Sequence, residues 1–160
     1  MPRASAAKLA LLERLARATA AHAYAPYSGF AVGAAVLTDA GEIFAGANVE
    51  NASYGLSICA ERNAVQQAVS RGARGIAAVV VYAPTAEPTP PCGACRQVLA
   101  EFGGDPLIVC CGQDGKVRRH RLADLLPEAF GRGNLDPPRE SSKITRPPSS
   151  QKSKPWRRRP

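Results

Sequence analysis

Three cysteines and one glutamate have the types and spacing to do chemistry. Cys92 and Cys95 form a C-x-x-C, Cys59 stands upstream of them, and Glu61 follows Cys59 by two positions. The C-x-x-C alone is open to metal ligation, dithiol redox chemistry, or ordinary burial of small apolar side chains. Glu61 favours the first. Three thiolates on Zn²⁺ leave a fourth position for water, whereas a structural site fills all four positions with protein ligands. The two histidines, His22 and His120, stand at no obvious ligand spacing. A carboxylate beside acidified water can take its proton and later pass one to a leaving group. The competing reading of Glu61 is a first-turn carboxylate held by the helix dipole.

These residues must be positioned by elements, and the pattern around them supplies candidates. Cys59, Cys92 and Cys95 fall at or near the predicted starts of two helices, Ile58 to Ser70 and Ala94 to Phe102. Unpaired N–H groups and the positive dipole end favour thiolate there. Leu9, Leu12, Leu15 and Ala16 recur at helical spacing within Ala4 to Ala23, predicting an amphipathic helix ended before Pro26. Two short strands, Ala31 to Thr38 and Glu42 to Val49, flank the turn Asp39-Ala40-Gly41. Ile76 to Tyr82 and Leu107 to Cys111 are apolar throughout, as strands buried on both faces are. A polar strand and a last helix near Leu122 to Leu126 complete the order. Helices available for both faces of one sheet predict an α/β, three-layer α-β-α sandwich. Cys110 and Cys111 fall in a buried strand and are expected to act as small hydrophobes.

The chain has 160 residues, 45% hydrophobic and 6% aromatic, which suits a single core. Its net charge of +8 is uneven. Residues 139–160 hold eight Lys/Arg and one acid, Glu140, whereas residues 1–138 hold 13 basic and 12 acidic side chains. A catalytic domain over residues 1–136 and a basic, Pro/Ser/Arg-rich, disordered tail over 137–160 are therefore expected. No run is long enough to span a membrane, and the N-terminus lacks a signal-peptide pattern. With an odd number of cysteines in no disulfide-like arrangement, this predicts a cytoplasmic protein.

Cys59-Ala60-Glu61-Arg62 together with Pro91-Cys92-Gly93-Ala94-Cys95-Arg96-Gln97 resembles the zinc-dependent nucleoside and nucleobase deaminases. Tyr24-Ala25-Pro26-Tyr27-Ser28-Gly29-Phe30-Ala31-Val32-Gly33-Ala34-Ala35 and Asn48-Val49-Glu50-Asn51-Ala52-Ser53-Tyr54 add a closer likeness. These blocks resemble the small homotetrameric cytidine deaminases, in the family's order and spacing over roughly residues 5–130. The resemblance implies that family's five-stranded mixed sheet and one zinc per subunit, held by Cys59, Cys92 and Cys95. It implies that Glu61 takes a proton from the nucleophilic water and protonates N3 of the pyrimidine and the departing ammonia. The Ala60 backbone and Glu61 would read the base edge, Phe30 would stack near the pyrimidine, and Asn48 and Glu50 would grip the ribose 3′-hydroxyl. Arg62 would hydrogen-bond ligand sulfurs and offset their charge. Tyr54 would lie at a subunit interface beside the site, and Phe130 would reach a neighbouring subunit's pocket. Read without the resemblance, Asn48 and Glu50 are turn residues and Phe30 is core.

The implied activity is hydrolytic deamination of cytidine and 2′-deoxycytidine in pyrimidine salvage. A deaminase of a nucleoside antibiotic such as blasticidin S shares the three-cysteine pattern, but Asn48-Val49-Glu50-Asn51 suits an ordinary ribose. The basic tail motivates a second class of reading, weak nucleic-acid binding. A structural zinc module or a redox dithiol leaves Glu61 unexplained. The tail departs from the family pattern, which ends soon after the last helix.

Overall fold

Along the central strands the side chains alternate between two separate cores, which is how one sheet carries helices on both faces. The computed structural model describes residues 4–135. Helix α1 spans Ala6–Ala20, followed by strands β1 (Gly33–Thr38) and β2 (Ile43–Ala47), helix α2 (Ala60–Ser70) and strand β3 (Ile76–Tyr82). Helix α3 (Gly93–Gly103), strands β4 (Leu107–Cys111) and β5 (Val117–Arg121) and the single turn α4 (Leu122–Leu125) follow. The sheet order is β2-β1-β3-β4-β5, with only β3 and β4 parallel. Ala34, Val36, Val79, Val81, Ile108 and Cys110 face α2, α3 and α4, whereas Ala35, Leu37, Ala78, Val80, Val109 and Cys111 face α1. The three-layer sandwich is the architecture expected from the element order, and its five-stranded mixed sheet is the one the resemblance implies.

Local chemistry accounts for the boundaries. Ser5 caps α1 by accepting from Lys8 N–H at 3.3 Å, so the helix begins after the expected Ala4. It ends before Ala23 because Tyr24 leaves to pair with Val49. Ile58, expected inside α2, instead pairs with Val49, and Cys59 becomes the N-cap. Gly41, at φ +88°, turns β1 into β2. Two short 3-10 turns, Tyr54–Leu56 and Arg132–Asn134, carry no periodic signal in the sequence.

Two glycines set how closely helices approach the sheet. A Cβ on Gly33 would lie 2.0 Å from the carbonyl oxygen of Ala16 on α1, and one on Gly46 would lie 2.6 Å from the Ala64 nitrogen on α2. The α2 contact is reinforced by side-chain amides. Asn63 donates to the Ala47 carbonyl and Gln67 to the Ala45 carbonyl, each at 2.7 Å. These carbonyls belong to edge strand β2, so α2 is tied to that strand in a defined register. On the other face, Arg17 lies 4.5 Å over the Tyr82 ring and donates to the Gly112 carbonyl at 3.0 Å.

Among the described residues no helix is long and apolar enough to cross a membrane. The expected tail, residues 137–160, lies outside the described residues.

Candidate active site

The N-termini of α2 and α3 meet at one end of the sheet. Cys59 and Cys92 are the two N-caps, and neither sulfur is spent on capping its own helix. Cys95 is the third helical residue of α3, and one helical turn brings N-cap and N3 side chains to the same side. The Cys59 Sγ to Cys92 Sγ distance is 3.7 Å and the Cys92 Sγ to Cys95 Sγ distance is 3.5 Å. All three sulfurs lie within 4.8 Å of one another. Tetrahedral zinc with Zn–S bonds of about 2.3 Å sets its sulfurs about 3.8 Å apart, so the cluster fits zinc with little adjustment. Neither histidine belongs to a metal-sized cluster among the described residues.

Electrostatics around the sulfurs favour the thiolate at Cys59. Hydrogen bonding with Cys95, and after it with the Arg62 guanidinium, brings the Cys59 thiol down to about 5. The same bond with Cys59, together with burial, pushes Cys95 up. Arg62 Nη2 donates to the Ser57 carbonyl at 3.0 Å and lies 3.6 Å from Cys59 Sγ. Its buried Nε has no partner among the described residues, which leaves donor capacity beside the sulfur cluster. Burial pushes Cys110 up to about 12 and Cys111 up to about 11, so both stay protonated in β4.

Glu61 is 5% exposed, in the first turn of α2. Burial first, and then the neighbouring Cys59 charge, hold its carboxyl above the ordinary carboxylate range. A carboxylate so placed can both accept and return a proton. It lines a cavity of about 170 Å³ with Phe30, Val32, Asn48, Cys59, Ala60, Val81, Ala83, Thr89, Pro90 and Cys92. Val81 and Ala83 lie at the carboxyl end of β3, the end at which open α/β sheets bind ligands. The motifs alone do not mark these two positions.

The remaining expected residues fall in three groups. Asn48 lines the cavity while tying down its wall: Oδ1 accepts from Val32 N–H and Nδ2 donates to the Phe30 carbonyl, both at 2.8 Å. The Glu50 carboxylate sits behind this wall and accepts from Tyr27 N–H at 2.8 Å, Ser28 N–H at 3.2 Å and the Ser28 hydroxyl. Ser28 is absent from the residues singled out in the sequence, because a hydroxyl in a Gly/Pro turn carries no distinguishing signal. Asn48 still has one N–H, and each side chain has lone-pair capacity uncommitted to these bonds. Tyr54 and Phe130 lie outside the cavity lining and are 76% and 61% exposed. Tyr54 meets Tyr27 edge to face at 6.0 Å, and the Phe130 carbonyl accepts from Gln97 on α3 at 2.7 Å.

The model of the family described as "Cytidine and deoxycytidylate deaminase zinc-binding region" matches residues 7–111. The chain belongs to the cytidine deaminase family. A cytidine deaminase of Halalkalibacterium halodurans is 50% identical over 109 residues, covering 68% of this chain and 83% of that protein. A cytidine deaminase of Mycobacterium tuberculosis is 48% identical over 130 residues, covering 81% and 93%. The crystal structure of cytidine deaminase from Burkholderia pseudomallei superposes with a TM-score of 0.73 at 48% identity, covering 76% of this chain and 98% of that one. As in the family's zinc-binding region, Cys59, Cys92 and Cys95 are positioned for a metal.

Metal removal follows directly. A chelator at neutral pH is expected to abolish turnover and lower Tm, and added zinc to restore both, as followed by activity and calorimetry. Because ligation requires deprotonated thiols, zinc is expected to be lost more readily as the pH falls. Full activity in metal-stripped protein would overturn this.

Proposed function

We propose that this chain hydrolyses cytidine and 2′-deoxycytidine to uridine and 2′-deoxyuridine with release of ammonia, as a cytoplasmic enzyme of pyrimidine salvage. The observation that carries the reading is the sulfur triangle of Cys59, Cys92 and Cys95, of which Cys59 and Cys92 line the same small cavity as the buried Glu61. Cys59, Cys92 and Cys95 would hold a zinc ion, which would acidify the water that attacks C4 of the base. Glu61 takes a proton from that water and delivers it to N3. It then takes the proton of the new C4 hydroxyl and delivers it to the amino group, which leaves as ammonia as the C4–N bond breaks and the C4 carbonyl forms. The Ala60 backbone and the Glu61 carboxylate read the base edge, and Phe30 stacks near the pyrimidine. Asn48 and Glu50 hold the ribose 3′-hydroxyl with their remaining hydrogen-bonding capacity. A grip on the 3′ position tolerates either substituent at 2′, which is why both nucleosides serve.

Arg62 offsets the excess negative charge of three thiolates over the metal. The working unit is a homotetramer with Tyr54 beside the site and Phe130 reaching a neighbouring subunit's pocket. Support comes from the exposure of Tyr24, Tyr27, Tyr54, Leu56 and Phe130, large apolar side chains that a lone chain leaves in water. The catalytic unit is residues 1–136, and the basic tail adds at most weak phosphate attraction.

Zinc-loaded protein incubated with cytidine is expected to form uridine, followed by the change in absorbance. A folded, zinc-loaded chain that leaves both cytidine and deoxycytidine intact overturns the reading, and turnover of blasticidin S alone would redirect it to the antibiotic. Light scattering tests the tetramer.

A further inference from the structure

The Phe30 wall of the cavity is held by an uninterrupted set of hydrogen bonds, and one residue in it has no role in the chemistry above. The Ser28 hydroxyl donates to Glu50 Oε1 and accepts from Phe30 N–H at 3.0 Å. On the other side, Asn48 Nδ2 donates to the Phe30 carbonyl at 2.8 Å. Both polar groups of the Phe30 backbone are thus gripped, one by each side chain of the Asn48/Glu50 pair, with Ser28 as the relay from Glu50. Gly29, at φ +67°, makes the reversal that returns Phe30 N–H to the Ser28 oxygen. The ring has little else to fix it. Phe30 is 38% exposed and belongs to neither of the two apolar cores.

We propose that Ser28 is a positioning residue for nucleoside binding: its hydroxyl sets the Phe30 wall and locks the Glu50 carboxylate, so that substrate affinity depends on it. The proton inventory is consistent. A serine hydroxyl has a single proton, given to Glu50, and its lone pairs remain for Phe30 N–H. Alanine removes both bonds, frees the 28–30 turn and leaves Glu50 with the two backbone donors alone. Threonine keeps the hydroxyl. The proposal rests on the nucleoside reading above, in which Phe30, Asn48 and Glu50 contact substrate and Glu61 and zinc carry the chemical step.

The test is a kinetic cycle on zinc-loaded full-length protein with cytidine. Ser28→Ala is expected to raise KM about three- to tenfold, the size of one or two solvent-accessible hydrogen bonds, with kcat within twofold and zinc content unchanged. Ser28→Thr is expected to restore KM. In a Phe30→Ala background the Ser28→Ala increment should shrink, because the ring it positions is gone and only its route through Glu50 remains. An unchanged KM in Ser28→Ala, or the full increment persisting without the Phe30 ring, overturns the proposal. Amide exchange by NMR reads the same network without turnover: Phe30 N–H should exchange faster in Ser28→Ala. Unaltered exchange refutes the network even in a chain whose substrate is another nucleoside, whereas loss of cytidine turnover in the wild type refutes only the functional reading.

Discussion

Glu61→Gln is expected to lower kcat for cytidine by about 10⁴-fold while leaving fold and zinc content intact. The figure stands at the upper end of what one acid/base group supplies, because in the proposed chemistry one carboxylate serves both proton transfers, from water to N3 and from the C4 hydroxyl to the departing ammonia. Glutamine has nearly the same shape and can still donate a hydrogen bond to a base edge, but it cannot exchange a proton. KM should therefore change much less than kcat. Glu61 is 5% exposed and its burial disfavours the charge, so a neutral amide should leave Tm no lower than in the wild type. Single-turnover kinetics, metal analysis and calorimetry check the three parts. Turnover within about tenfold of wild type would remove Glu61 from the proposed chemistry.

The second large effect separates the two faces of the sheet. In Gly46→Ala the new Cβ would fall 2.6 Å from Ala64 N, 2.8 Å from the Ala60 carbonyl oxygen and 2.9 Å from Asn63 Cβ. All three belong to the first turns of α2, which also carries Cys59 at its N-cap and Glu61. In Gly33→Ala the clash is harsher, 2.0 Å from the Ala16 carbonyl oxygen and 2.6 Å from Ala20 N, but it falls on α1, which carries no proposed site residue. Backbone atoms cannot turn aside as a flexible side chain does, so both variants should lose stability at the upper end of overpacking, about 3 kcal/mol. Their activities should diverge. Gly46→Ala shifts the helix bearing the ligand and the carboxylate, and should lose zinc affinity together with kcat. Gly33→Ala should have the lower Tm, yet turn over normally per zinc-loaded folded molecule. Equal kcat in the two variants would show that α2 yields elsewhere than at its N-terminus.

Much of this was legible in the residues because the relevant physics is local. Uniformly apolar runs such as Ile76–Tyr82 and Leu107–Cys111 emerge as strands at those same boundaries, since only a strand covered on both faces needs no polar side. The C-x-x-C alone leaves metal and redox use open, and Glu61, two residues after Cys59, is the local signal that favours metal. Boundaries slipped where a non-local partner competed with helical periodicity, as at Ile58 and Tyr24, both drawn into pairing with Val49. The 3-10 turn at Tyr54–Leu56 carries no periodicity at all, and Ser28 acts through oxygens whose partners are set by the path of the loop.

By itself the sequence determined the composition of each layer and the three candidate metal cysteines, because residue type, short-range spacing and helix-start chemistry carry that information along the chain, while the resemblance of its motif blocks pointed to the family. Tertiary structure decided the convergence. Cys59 and Cys92 lie 33 positions apart, and only the packing of α2 and α3 on one face of the sheet brings their sulfurs to 3.7 Å. The burial that raises the Glu61 carboxyl, the approach of α2 that Gly46 permits, and the clasp of Ser28, Glu50 and Asn48 around Phe30 arise in the same way. Each depends on distances between segments remote in sequence, and those distances exist once the two cores have closed on the sheet.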